Sequence, residues 1–288
     1  AQPRAHAAAR AAEYPAVDNW AEETAQARSP EIIPQIRTIT GGAAKEKLVA
    51  AGFLRRAARV SAIANKNGLF GYHRSTDASL STTVRTADGS SAGWASQPAV
   101  RVGELDGARL AETAIGKCLR WRKPVHLEPG KYTVLLEPAA CADVLGWFAW
   151  EFSARMAEEG RSFLSKPGGG TLLGEKLFPD FVTLRSDPFD PRLPSAPWSW
   201  DLRPVAKITW VEKGVVRNLY YDRYWAQKAG REPTPFPSSD LLDGADASLE
   251  ELIRSVERGL LVTHFWYIVT LNPKTMQVTG LTRDGLFL

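Results

Sequence analysis

The spacing of apolar residues changes along the chain, and each change marks an element. An Ala-rich start and Ser29-Pro30-Glu-Ile-Ile-Pro34 predict a helix followed by an irregular connector, and Ala43–Ala51 predicts a second helix closed by Gly52. From Arg59 the period becomes two. Val60, Ala62 and Ala64 alternate with polar neighbours, Asn65–Gly68 supplies a turn, and Leu69–Ser75, Ser79–Thr86 and Ala92–Gln97 continue an antiparallel meander. Asp106 is placed to cap a helix with the stripe Leu110, Ala114, Cys118 and Trp121, which Pro124 ends. Lys131–Glu137 reads as a strand feeding the longest helical segment, Pro138–Glu159, with proline at its first position and Gly160 just past its end. The recurrence of Cys141, Val144, Leu145, Phe148, Ala149, Phe152 and Met156 predicts a helix buried along most of its length.

Beyond this helix the chain returns to short strands. Gly169 and Gly174 have the spacing of a phosphate loop, but Glu175 stands where the lysine is required and would repel phosphate, so a mobile glycine loop is expected there. Residues 186–204 read as an extended connector. Ala206–Val211 and Val215–Tyr221 flank the turn Glu212-Lys-Gly214, Ser248 caps a helix over Leu249–Arg258, and Leu260–Leu271 and Met276–Leu281 form a last pair before the turn at Arg283-Asp-Gly285. The whole predicts an α+β fold. Residues 1–126 would place helices on an antiparallel sheet, and residues 127–288 would form a β-rich portion, a curved sheet or barrel-like, around the central helix.

Composition narrows the function. The chain is 44% hydrophobic and 24% charged, as in an ordinary globular protein, and its net charge of +4 is too small and dispersed to point to direct nucleic-acid binding. The densest basic clusters, Arg55-Arg56 with Arg59 and Arg120–Lys123, are short. No window is apolar enough to span a membrane. Cys118 and Cys141 fall on apolar helix stripes, as free thiols of a reducing cytoplasm do. His6, His73, His126 and His264 are not at metal-ligand spacing. On the central helix, Glu151 and Arg155 have the order of an i,i+4 ion pair. Two aromatic runs fit either a partner or peptide surface or plain sheet packing: Tyr220–Trp225, with Tyr221, Tyr224 and Trp225, and Thr263–Ile268, where alternation sends His264, Trp266 and Ile268 to one face.

Trp147-Phe-Ala-Trp-Glu-Phe-Ser-Ala-Arg155, Glu159–Lys166, Leu173–Leu177, Tyr221–Trp225 and Gly259–Ile268 together resemble the TldD/PmbA family, also called modulators of DNA gyrase. The resemblance runs through most of the chain and is strongest from Leu127 onward; relatives extend past Leu288, so it also implies a fragment truncated at its end. In the peptidase branch the corresponding helix carries His-Glu-x-x-x-His, two zinc ligands and a catalytic glutamate. On that pattern Trp150 and Arg155 occupy the histidine positions and only Glu151 remains, a weak catalytic candidate. Neither an indole nor a protonated guanidinium ligates zinc, so no metal is expected on this chain. The resemblance implies the TldE-like branch: a non-catalytic subunit, with no cofactor of its own, that dimerises with a zinc-bearing TldD-like chain acting on peptides or unfolded proteins. Two alternatives stay open, an active metallopeptidase with non-standard ligands and a protein-binding regulator of gyrase or an antitoxin.

Overall fold

A computed structural model describes residues 14–121, 125–282 and 284–288. His6, the Ala-rich start, Arg122, Lys123, Pro124 and Arg283 lie outside the described residues.

The N-terminal half opens with α1 (Glu22–Gln26) and α2 (Ser29–Lys45). The predicted connector at Ser29–Pro34 is therefore helix, and the predicted helix at Ala43–Ala51 gives way to a strand. Two causes are visible. Pro30 sits in the first turn, where no amide donor is needed, and Ile39 and Ala43, one turn apart, are both buried and dock the helix despite Pro34. Gly52 is a strand residue rather than a helix stop: a Cβ there would lie 2.1 Å from the Ser81 carbonyl oxygen. β1 (Val49–Ala64) and β2 (Phe70–Arg85) pair antiparallel through sixteen uninterrupted positions. At the turn, the Asn65 side-chain carbonyl accepts the amides of Asn67 and Leu69, and Gly68 has φ +82°. β3 (Ala92–Ala99) pairs with the Ala78–Arg85 part of β2, giving the order β1-β2-β3 of the expected meander. α3 (Gly107–Arg120) follows, with the Asp106 carboxylate accepting the Arg109 amide at 2.9 Å, and buries Leu110, Ala114 and Cys118 against Leu80 and Val84.

The C-terminal half is β-rich as expected and is built from several small sheets. It contains β4 (Val134–Leu136), α4 (Pro138–Phe148), α5 (Ala154–Glu158), β5 (Thr183–Ser186), β6 (Ile208–Glu212), β7 (Val215–Val216), α6 (Arg223–Ala229), β8 (Asp240–Asp243), α7 (Leu249–Arg254), β9 (Leu260–Val262), β10 (Phe265–Asn272), β11 (Gln277–Thr282) and β12 (Leu286–Phe287). One sheet has the antiparallel order β7-β6-β5-β8, a second runs β12-β9-β4 with β4 parallel to β9, and β10-β11 is a separate hairpin. The fold is α+β as expected, and no sheet closes into a barrel among the described residues. Phe152, Leu164, Trp210, Val211, Val216, Leu219 and Trp225 form its core.

Among the described residues the halves meet beside α3 and again at the tip of the β1–β2 arm. Lys117 of α3 donates to Glu137 at 2.6 Å, both side chains largely buried, and Trp94 of β3 stacks on His264 with ring centroids 4.1 Å apart. At the far end of the β1–β2 arm, Trp198 packs edge-on against Tyr14 and His73.

Candidate functional site

The segment from Pro138 to Gly160, predicted as one helix, is interrupted. α4 ends at Phe148, Ala149–Phe152 tightens to a 3₁₀ turn, and Ser153 is extended (φ −63°, ψ +116°) before α5 begins. Two attractions favour the break. The Ser153 hydroxyl accepts the Met156 amide and caps α5. The backbone on either side pairs with Tyr220: its amide donates to the Phe152 carbonyl at 2.7 Å, and its carbonyl accepts the Ala154 amide at 2.9 Å. The apolar stripe continues through the break and drops Phe152 into the core, which a period count cannot distinguish from a continuous helix.

The interruption redistributes the candidate residues. The Glu151–Arg155 ion pair does not form; Arg155 instead donates to Glu159 at 3.1 Å, one helical turn on, and lies over the Trp225 ring. Glu151 turns inward. Its side chain is buried, its Oε2 has no hydrogen-bond partner, and desolvation pushes its carboxyl above the usual carboxylate range. Trp150 is 63% exposed and leans on Phe236 at 4.5 Å between centroids. Asp143 of α4 accepts the Phe265 amide at 2.9 Å and ties α4 to β10.

This arrangement does not fit a metal. The positions that flank Glu151 offer an indole and a guanidinium, and Glu151 itself is held toward its neutral form, which is a poor ligand. Among the described residues no three His, Cys, Asp or Glu side chains converge on a possible cation position.

The aromatic candidates separate into two kinds. Tyr221 and Trp225 are buried, and both donate to the Glu158 carboxylate, the phenol at 3.1 Å and the indole at 2.8 Å. The run that holds them is not a strand: Asp222 accepts the Trp225 amide at 2.7 Å and starts α6. Tyr224, on the same helix, is half exposed. The predicted strand Leu260–Leu271 is also interrupted, because Thr263 and His264 belong to no strand and Tyr267 takes φ +57° at a register shift. Ile268 is therefore buried while Trp266 and Tyr267 both face outward, and Trp266 stands opposite Leu281. His264 stacks on Trp94, with its Nδ1 buried and unpaired.

One feature of the site escaped the sequence. α4 is half-buried instead of enclosed, and Cys141, Val144, Leu145 and Phe148 line an open groove of about 210 Å³ with Leu184 and Leu242 on its other wall. The apolar stripe signals the helix face correctly but not whether anything covers it.

Residues 8–119 match the family model of the PmbA/TldA metallopeptidase central domain, and residues 129–288 match that of the PmbA/TldA metallopeptidase C-terminal domain. No curated protein matches the sequence. Solved structures are similar in fold, among them three that each share 20% sequence identity with this chain. A proposed modulator of DNA gyrase from Thermotoga maritima superposes with TM-score 0.80 over 92% of this chain and 64% of its own. One from Bacteroides thetaiotaomicron gives 0.76 over 94% and 66%, and TldE from Thermococcus kodakarensis gives 0.69 over 90% and 62%. The chain thus spans a little under two thirds of the length of these proteins. With both domain models matched in order along the sequence, this chain belongs to the PmbA/TldD metallopeptidase family.

Proposed function

We propose that the chain is a TldE-like, non-catalytic subunit that pairs with a zinc-bearing TldD-like chain of a cytoplasmic peptidase acting on peptides or unfolded proteins. The observation that carries this reading is the helix break at Glu151. Where the resemblance places two zinc ligands there are Trp150 and Arg155, and the remaining glutamate is turned inward and buried, with desolvation holding its carboxyl above the usual carboxylate range. The similarity to TldE from Thermococcus kodakarensis supports the same branch, and the two unpaired cysteines support a reducing compartment. In this reading the exposed Trp266 and Tyr267 face the partner subunit, and the apolar groove beside α4 takes an apolar side chain of an unfolded segment.

The test is to purify the chain alone and together with a TldD-like partner, measure bound metal by mass spectrometry, and assay cleavage of a denatured protein. The chain alone should hold no stoichiometric zinc and cleave nothing, and the pair should do both. Zinc at about one per chain in the isolated protein, with cleavage, would overturn the proposal in favour of an active peptidase with non-standard ligands. The gyrase-modulator name of two similar structures supports a second reading, a protein-binding regulator, which predicts partner binding without cleavage by any pair.

A further inference from the structure

The β1–β2 arm is longer than the helices that cover it. In the paired register, even-numbered residues share one face, and near the body of the domain that face is core: Leu54, Ala78, Leu80 and Val84 pack under α2 and α3. The cover ends at Thr76, whose hydroxyl accepts the Ala21 amide, and at Arg74, whose guanidinium lies over Trp20. Past that point the same face is uncovered among the described residues. Val60, Phe70 and Tyr72 are 63%, 67% and 58% exposed, with Ala62 and Ala64 between them. β1 is also the edge of its sheet, so its outward amides and carbonyls have no neighbouring strand among the described residues.

Charge identifies what fits this face. Within residues 49–85 there are Arg55, Arg56, Arg59, Lys66, Arg74 and Arg85 against the single carboxylate Asp77, a net of +5 where the whole chain is +4. Asp77 is shared by Arg55, at 2.9 Å, and Arg59, so the odd-numbered face of the arm stays positive. A strand laid along β1 would meet Val60, Ala62 and Ala64 on the even-numbered face, where Arg56 is bonded to the Ala25 carbonyl and Arg74 lies over Trp20, and the guanidinium groups of Arg55 and Arg59 on the other.

We infer that the outer half of the β1–β2 arm is a docking edge for an extended protein segment in which apolar and acidic residues alternate. Such a segment pairs its backbone with β1, sets its apolar side chains beside Val60, Phe70 and Tyr72, and points its carboxylates at Arg55 and Arg59. A second copy of this chain is disfavoured, because it would bring two arms of net +5 together. A nucleic-acid strand is disfavoured because the face is mainly aliphatic and offers two rings, whereas successive bases need a run of stacking platforms.

The experiment titrates the chain with a fluorescently labelled ten-residue peptide alternating valine and glutamate, followed by anisotropy at low and high salt. Parallel titrations use the valine–lysine counterpart and a ten-nucleotide oligo-dT. The glutamate peptide should bind at least tenfold more tightly than the other two probes, and salt should weaken it. V60D and Y72S, both at exposed positions and so compatible with folding, should each weaken it tenfold or more. V278E on the separate β10–β11 hairpin should leave it unchanged. Absence of binding, equal binding of the lysine peptide, indifference to the arm variants, or tighter oligo-dT binding that the arm variants abolish would each overturn the inference. So would a dimer in sedimentation that Y72S dissolves, which would assign the face to a second copy.

Discussion

The two halves reach order by different means. In the N-terminal half, β1 and β2 pair for sixteen positions without a slip, and a single non-glycine residue among those described, Lys47, has positive φ. In the C-terminal half the longest hairpin, β10–β11, shifts register twice, and Leu202, Lys213, Ser239, Tyr267, Met276 and Asp284 all take positive φ. What replaces regular pairing there is bonding between distant side chains and backbone: Glu158 to Tyr221 and Trp225, Asp143 to the Phe265 amide, Ser186 to Trp210. A half held by hairpins depends on local register. A half held by such cross-links depends on particular residues, and single substitutions should hurt it more.

The sharpest way to test that contrast is at Trp225 and Tyr224, neighbours in sequence with opposite surroundings. Trp225→Ala removes a buried ring and leaves Glu158 with one donor fewer, so urea denaturation should show a loss of ~3–5 kcal/mol. Tyr224→Ala, at a half-exposed position, should stay within about 0.5 kcal/mol of the parent. Equal losses would mean that exposure on α6 does not separate core from surface.

The next effect concerns the joint between the halves. Lys117→Met leaves Glu137 a partly buried carboxylate without its cation, which should cost about 3 kcal/mol. Because the pair links α3 to the entry of α4, calorimetry of the variant should resolve two transitions where the parent shows one. A single transition with an unchanged midpoint would place the coupling elsewhere, at the Trp94–His264 stack or at Trp198.

A smaller effect is expected at the surface. If Trp266 faces a TldD-like subunit, Trp266→Ala should weaken association by ~2 kcal/mol, or more than tenfold, while melting within a degree or two of the parent. A large fall in melting temperature with unchanged affinity would return the ring to a packing role.

How much was readable in advance follows the same division. The meander, the Asp106 cap, the turn at Lys213-Gly214 and the Ser248 cap were legible because each is signalled within a few residues. The readings at α2, at Ser153 and at Asp222 failed where a distant partner decided the outcome. Docking of Ile39 overrides Pro34, Tyr220 pulls Ser153 out of the helix, and Glu158 draws Tyr221 and Trp225 inward. At the candidate site the absence of ligands at Trp150 and Arg155 was legible, and the burial of Glu151 was not, because the inward turn depends on the break that Tyr220 helps make.

That burial gives the last and smallest prediction, and it concerns pH. In the folded chain desolvation raises the Glu151 carboxyl above its unfolded value of ~4.3, so the folded state holds this proton more tightly than the unfolded state does. Below the unfolded value both states are protonated and the group contributes its full share. As pH rises from there through the raised folded value, the unfolded chain releases the proton first and stability is lost. Glu151→Gln keeps the shape of the neutral acid and removes the titration. The variant should therefore melt at the same temperature as the parent near pH 4 and above it at pH 7, with the gap opening between those limits. If Glu151 were instead ionised and held by an unseen cation, glutamine would lower the melting temperature at pH 7, and the two signs cannot be confused.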